Sequence, residues 1–173
     1  YNNALETHQQ SLKQAKILCD KQGIGYSLNG IGSIYLAKNE YDKALDYYQR
    51  SLDIGYEIND KLRIAGSLSN IGNIYKHKGD YDKALDYTSR TIKIREECGE
   101  ISQLGSWFSI IGEINLHKGD NNQALDNMNR ALENQDGIDI NWLAWLYYNL
   151  GYYYLRNDEN DKAISYLEKS LDI

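Results

Sequence analysis

The sequence repeats itself with a period of forty residues, and this constrains the fold more than any local motif. The seven residues YDKALDY stand at 41–47 and again at 81–87. A glycine also recurs at steps of 40, 40 and 39 residues, and an alanine follows each glycine twelve residues later. These landmarks are Gly32, Gly72, Gly112 and Gly151, with Ala44, Ala84, Ala124 and Ala163. A fixed period of this length predicts a solenoid or array of stacked repeats.

Each repeat is predicted to be a pair of antiparallel helices. Apolar residues follow a helical spacing of three and four from Leu28 to Tyr35, and again from Tyr41 to Leu52. Between them lies a polar break at 37–40, of the Asn-, Asp- and Gly-rich kind that marks tight turns. A helix with one apolar stripe must bury it against neighbours, so the repeats are expected to stack. We expect the recurring glycine to lie where the two helices of a pair approach most closely.

The order of large, small and aromatic residues resembles the tetratricopeptide repeat. In the first full repeat it reads Leu28, Ile31, Gly32, Tyr35, Ala44, Tyr48 and Ser51. The period is longer than the family's usual one of about 34 residues, and the family's proline is missing. This longer form resembles the arrays of kinesin light chains, of spindle-orientation scaffolds and of bacterial signalling proteins. The resemblance implies an all-α fold, a right-handed α-solenoid superhelix of antiparallel helix pairs.

The repeat frame predicts that residues 1–173 form one array. It divides into a second helix of a truncated repeat and four repeats, at 1–20, 24–60, 61–100, 101–137 and 139–173. Because the frame starts in mid-repeat and shows no polar capping helix at either end, we expect a fragment of a longer protein. We also expect that its uncapped ends allow self-association.

Composition narrows the partners and the compartment. The net charge is −6 at pH 7, which argues against direct binding to nucleic acid. The apolar stretches are broken well before eighteen residues, so no membrane span is predicted. Cys19 and Cys98 lie nearly two repeats apart and are predicted to be free thiols, which favours a cytoplasmic location.

No motif for catalysis, a metal or a cofactor is found in the sequence. His77 and His117 share a register, but two histidines and a nearby Glu113 are a weak basis for a metal site. No phosphate-binding loop follows a strand, and no GxSxG motif occurs. We therefore expect no enzyme, no metal and no cofactor.

The resemblance implies that a partner binds along the first helices, which line the concave face in the family. Carried over by register, the partner-binding residues are Tyr26, Asn29, Ser33, Ser69, Asn70, Asn73, Lys76, His77, Ser109, Glu113, His117, Trp145, Tyr148, Tyr152 and Arg156. For any one of them, a simply solvated residue is an equal alternative. The asparagines suit a peptide backbone, because an amide both donates and accepts hydrogen bonds.

Two functions stay open at this stage. The leading hypothesis is a non-catalytic scaffold that holds a protein or peptide in a concave groove. The alternative is a regulatory or sensor domain of a bacterial signal-transduction protein, such as a histidine kinase or a transcription regulator. The dense aromatic run at 142–148 is either an interaction surface or a face covered by a neighbouring repeat.

Overall fold

The computed structural model describes residues 2–100, 104–135 and 139–173. These parts of the chain hold nine α-helices and no strand. The helices are α1 (Asn2–Ile17), α2 (Lys21–Ala37), α3 (Tyr41–Glu57), α4 (Lys61–His77), α5 (Tyr81–Glu97), α6 (Leu104–Lys118), α7 (Asn121–Glu133), α8 (Ile140–Arg156) and α9 (Asn160–Leu171). We call α2, α4, α6 and α8 first helices and the others second helices, by their place in the repeat.

Aspartate side chains set the starts of the first helices α2 and α4. Asp20 precedes α2, and its Oδ1 accepts a hydrogen bond from the backbone N–H of Gly23 at 3.0 Å. Asp60 caps α4 in the same way through the N–H of Arg63, also at 3.0 Å. Such caps satisfy donors that a helix leaves unpaired at its first turn. Because of the Asp20 cap, α2 begins at Lys21, three residues before the repeat boundary predicted at 24.

The predicted polar break is the turn between the two helices of a pair. One residue in each of these four turns has a positive φ: Asn39 at 59°, Gly79 at 75°, Gly119 at 91° and Asp158 at 59°. This left-handed conformation favours glycine and, among other residues, asparagine and aspartate. The conformation explains why these residue types recur in the break.

The contacts group the chain into two compact units, Tyr1–Gly99 and Glu100–Ile173, each with its own core. In unit 1 the core residues are Ala44, Tyr48, Leu52, Ile64, Leu68, Ile71 and Ile74. In unit 2 they are Phe108, Leu116, Ala124, Met128, Ala131, Leu146, Leu150, Tyr153, Tyr154 and Ala163. These are the apolar stripes that the helical spacing predicted, buried between consecutive helices.

The recurring glycine does lie at the closest approach of the paired helices. A Cβ atom built on Gly32 would stand 2.8 Å from Cε1 of Tyr48, whose side chain is fully buried. On Gly151 it would stand 2.6 Å from Cγ of Leu167 and 3.3 Å from the backbone oxygen of Ala163. The prediction for the glycine register is therefore confirmed.

A stacked pair of tyrosines joins the two helices in three of the four helix pairs. The ring centroids are 5.5 Å apart in Tyr35–Tyr47, 5.6 Å in Tyr75–Tyr87 and 5.5 Å in Tyr154–Tyr166. A lysine amine also lies about 5 Å from one ring of each pair, in Lys43, Lys83 and Lys162. The α6–α7 pair differs, because Asn115 and Asn127 take the two tyrosine positions.

Candidate functional site: the first-helix faces of the two units

In unit 1, two predicted site residues on neighbouring first helices meet. Nδ2 of Asn70 on α4 donates a hydrogen bond to Oδ1 of Asn29 on α2, at 2.9 Å. Both side chains are half-buried. Among the residues that the structure describes, no other hydrogen bond engages the two amides. The pair therefore retains both N–H groups of Asn29, and one N–H and the oxygen of Asn70.

Asn73 lies one helical turn after Asn70 and extends this polar surface. Its side chain is half-buried, and its amide has no hydrogen-bond partner within 2–100, 104–135 and 139–173. Ser69 is half-buried on the same helix. Together these side chains form a cluster of uncommitted amide and hydroxyl groups on α2 and α4.

Ser33 belongs mainly to the scaffold rather than to this cluster. Its hydroxyl accepts a hydrogen bond from the Tyr48 hydroxyl at 3.0 Å and donates to the backbone oxygen of Asn29 at 3.1 Å. Burial raises the pKa of Tyr48, and the Ser33 hydrogen bond opposes this shift only in part. Ser33 thus fixes the tyrosine that packs under Gly32.

The remaining predicted residues of unit 1 lie at the two ends of this surface. Tyr26 is 69% exposed on α2, with its ring centroid 6.2 Å from that of His8. The His77 ring stacks on the ring of Tyr41 from the preceding helix pair. Their centroids are 5.9 Å apart, and the angle between the ring planes is 11°. Lys76 is half-buried beside it.

In unit 2 the first-helix face is aromatic. Tyr148 and Tyr152 lie one turn apart on α8, and their side chains are 52% and 40% exposed. Trp145 is half-buried one turn before them. Arg156 follows one turn later, with its guanidinium carbon 5.8 Å from the Tyr152 ring. Leu155, also half exposed, continues the apolar stripe.

The structure corrects the expectation for Ser109 on α6. Its side chain is only 1% exposed, so it is not open to a partner, and we remove it from the candidate site. The reason is that α6 is covered on more than one side, with Asn115 and Leu116 buried as well. Glu113 is also largely buried, and its Oε1 lies 3.8 Å from Nε2 of His117. His117 is the exposed residue of this group.

Asn149 has a structural role at this face, and it was not among the residues carried over from the family by repeat position. It stands two residues before Gly151, as Asn70 stands two before Gly72. Its Nδ2 donates to the backbone oxygen of Trp145 at 2.9 Å, and the side chain is buried. The sequence did carry the signal, since Asn70 and Asn149 share one position of the repeat.

The side chains of these surfaces are amides, hydroxyls and aromatic rings. Amides, hydroxyls and aromatic rings can hydrogen-bond to a peptide backbone and cover apolar side chains. In the described part of the chain, no group of three or more His, Cys, Asp or Glu is placed to hold a metal ion. A membrane-crossing helix is likewise not found among the nine described helices.

Antiparallel helix pairs in series, with one small-residue contact per pair, define an α-solenoid of helical repeats. Residues 1–57, 63–136 and 103–173 match the sequence model of the family described as tetratricopeptide repeat. The chain therefore belongs to the tetratricopeptide repeat family. Repeats of this family generally form non-catalytic interaction scaffolds.

Solved structures show the same fold. BtubC (BKLC) from P. vanneervenii has a TM-score of 0.86 at 19% identity, over 99% of this chain and 72% of that one. The putative kinesin light chain of Podosopora anserina with nearly identical TPR-like repeats has a TM-score of 0.73 at 14% identity. The match covers 99% of this chain and 85% of that one. The apo form of RapI has a TM-score of 0.68 at 17% identity, over 99% of this chain and 61% of that one. These structures confirm the predicted all-α solenoid class. A comparison with curated proteins found no match.

Proposed function

We propose that this chain is a non-catalytic scaffold that binds an extended peptide segment of a partner protein along the first-helix face of a unit. The observation that carries the proposal is the Asn29–Asn70 pair, which bridges two neighbouring first helices and keeps donors and acceptors uncommitted. Amide side chains can hydrogen-bond to the neutral peptide groups of the ligand, so binding does not require a charged side chain in the peptide.

Helix spacing suits this ligand. Neighbouring helices pack with their axes about 8–10 Å apart. An extended peptide advances about 3.3 Å per residue, so the two first helices of unit 1, α2 and α4, would meet it about three residues apart. Each peptide unit offers one N–H and one C=O, and an asparagine can satisfy both. The amides of α2 and α4 therefore support recognition of the backbone rather than of one side chain.

Exposed aromatic rings on α8 support recognition of apolar side chains. Tyrosine offers a large contact area at a small cost in conformational entropy, and its hydroxyl remains available for hydrogen bonds. Tyr148 and Tyr152 occupy registers that hold Ser69 and Asn73 in unit 1. The two units thus present different chemistry at the same repeat positions, which would make the scaffold selective.

The test begins with selection of peptides from a displayed random library on the intact chain, followed by fluorescence anisotropy. We expect each selected peptide to be weakened about tenfold or more either by Asn70→Ala with Asn73→Ala or by Tyr148→Ala with Tyr152→Ala, according to the unit on which it binds. The matched control is Tyr56→Ala, because Tyr56 is 53% exposed but lies on the second helix α3. Unchanged binding in both first-helix variants, or a comparable loss in the control, would contradict the proposal.

A further inference from the structure

Gly66 stands in the middle of α4 without a packing role. A Cβ atom built on it meets no atom of the described residues within 4 Å, whereas one built on Gly72 would stand 3.2 Å from Cβ of Tyr87. Glycine inside a helix weakens that helix. Because α4 packs against α3 before it and α5 after it, the open space over Gly66 belongs to an interior helix of unit 1. A residue that weakens its helix and supports no contact is a candidate for a functional role.

Tyr26 lies on α2 at the repeat position of Gly66, and two contacts between the helices bracket both residues. One contact is the Arg63 side chain, whose Nη1 would stand 2.7 Å from a Cβ atom built on Gly25. The other is the hydrogen-bonded asparagine pair, which comes later on both helices. The Tyr26 side chain is 69% exposed. A large exposed ring on α2 is therefore the neighbour of a position on α4 that has no side chain.

Leu62 and Arg63 complete the surroundings of this space. A helical side chain covers the turn before its own position, so glycine at 66 leaves that turn open, and Leu62 is 54% exposed. The Arg63 side chain is 15% exposed, and its Nε lies 3.4 Å from Oδ2 of Asp60, so its charge is paired. We call the space over Gly66, between Tyr26 and Leu62, the Gly66 site. Its apolar sides favour an uncharged apolar group over a carboxylate.

The distance from the Gly66 site to the asparagine pair favours an aromatic group. Gly66 and Asn70 are one helical turn apart, which is about 6 Å along the axis. In the proposed function, a peptide group of the ligand binds at the asparagine pair. The side chain of that ligand residue must reach back along α4 by this distance, which phenylalanine or tyrosine can do and the shorter valine or leucine cannot. The exposed Tyr26 ring also favours a ring, because aromatic side chains pack on each other in stacked or edge-to-face geometry.

We propose that the Gly66 site binds an aromatic side chain of the peptide and thereby sets the specificity of unit 1. The ring of the ligand packs against the Tyr26 ring and over the backbone at Gly66, while the asparagine pair holds its peptide group. A larger residue at position 66 would fill the space, so Gly66 is a specificity-determining residue. This inference rests on the proposed function and names the class of peptide that unit 1 binds.

The test uses the selected peptides that Asn70→Ala with Asn73→Ala weakens, because these peptides bind unit 1. We expect each to contain an aromatic residue whose replacement by alanine lowers its affinity about tenfold or more in fluorescence anisotropy. Gly66→Leu should lower the affinity of the unchanged peptide about as much, since leucine fills the site. The matched control is Ser89→Leu, which places the same side chain on the exposed surface of the second helix α5. Leucine favours a helix more than glycine does, so urea denaturation should show that Gly66→Leu is no less stable than the unchanged chain.

A double-mutant cycle then tests direct contact. On the Gly66→Leu chain, replacing the aromatic residue of the peptide by alanine should have little further effect. Tyr26→Ala should weaken the unchanged peptide, whereas Tyr26→Phe should preserve its affinity, because the ring makes the contact.

Three results would overturn the inference while the proposed function stands. Gly66→Leu could leave the affinity of the unit 1 peptides unchanged, the two losses could add in the cycle, or leucine could replace the aromatic residue of the peptide without loss. A different result separates the two proposals. If Asn70→Ala with Asn73→Ala weakens no selected peptide, the proposed function fails for unit 1, and this inference fails with it.

Discussion

At the residue scale, two glycines on first helices, Gly32 and Gly66, differ in the atoms that surround them. Gly32 faces the buried ring of Tyr48, which is held at its hydroxyl by Ser33. Gly66 lies on α4, and a Cβ there would meet nothing within 4 Å. The first glycine is needed for close packing, whereas the second only weakens its helix.

These two positions give opposite predictions for the same substitution. Gly32→Ala should lower the free energy of unfolding by about 1–3 kcal/mol, because the fixed tyrosine ring cannot move aside. Gly66→Ala should raise it by about 0.5–1 kcal/mol, through the lower conformational entropy of the unfolded chain. Urea denaturation measures both. Equal effects of the two substitutions would show that the glycine register does not mark the closest approach.

The position of a residue in the repeat predicted its role better than it predicted how buried the residue is. The recurrence of glycine was enough to place Gly32 at a helix contact, since that contact is the same in every repeat. Ser109 was placed wrongly on an open surface, because burial depends on how much of α6 the neighbouring helices cover. No sequence spacing within one repeat carries that information.

At the scale of elements, the α6–α7 pair lacks the contact that joins the other described pairs. Asn115 is buried where Tyr35 stacks on Tyr47, and its Oδ1 has no hydrogen-bond partner among the described residues. A stacked aromatic pair contributes about 0.5–1.5 kcal/mol beyond its buried area. A buried acceptor without a partner costs about 1–3 kcal/mol. We therefore expect α6–α7 to be the least stable helix pair.

Native-state hydrogen exchange tests this expectation. The amides of α6 and α7 should exchange through a local opening at a lower free energy than those of α4 and α5. Tyr75→Asn with Tyr87→Asn should lower the opening free energy of α4–α5 by about 1–3 kcal/mol, because it copies the α6–α7 arrangement. Tyr26→Asn is the control, since Tyr26 is an exposed tyrosine outside the stacks. Slower exchange in α6–α7 than in α4–α5 would contradict this account.

The sequence predicted the helix pairs and their turns, but not this difference between the pairs. The polar break at 37–40 became the turn between α2 and α3 because its Asn39 adopts the left-handed conformation. The stacked tyrosines could not be foreseen from an apolar stripe, since Tyr47 stands next to the core position of Tyr48 and contacts Tyr35 at the edge of the pair. Hydrophobic periodicity describes which side of a helix is buried, not which side chains meet across it.

At the scale of the whole molecule, ion pairs recur with the repeat, and two of their carboxylates, Asp80 and Glu97, make stability depend on pH. Lys21 pairs with Glu57 at 2.6 Å, and Lys61 pairs with Glu97 at 2.9 Å, so each pair joins the two ends of one repeat. The hydrogen bond from Lys61 lowers the pKa of Glu97 below its ordinary 4.5. The hydrogen bond from the Lys83 side chain likewise lowers the pKa of Asp80 below 3.8.

Acid should therefore destabilise the chain through the carboxylates of Asp80 and Glu97. Because their pKa values are lower in the folded state, the unfolded chain binds protons first as the pH falls. The stability they contribute is present above about pH 5 and is lost as the pH falls through the folded pKa values. Asp80→Asn with Glu97→Gln should flatten the dependence of unfolding free energy on pH below 5. An unchanged slope in urea titrations across this range would exclude the two groups as the cause.

The central claim is that function lies in what differs between repeats along the first helices, on a scaffold that the repeats share. Nuclear magnetic resonance of the labelled chain with a selected peptide tests it most directly. We predict that a selected peptide shifts the side-chain amide signals of Asn29, Asn70 and Asn73, or the backbone signals around Tyr148 and Tyr152, according to the unit on which it binds. Shifts confined to the second helices, with both sets of signals unaffected, would contradict the account.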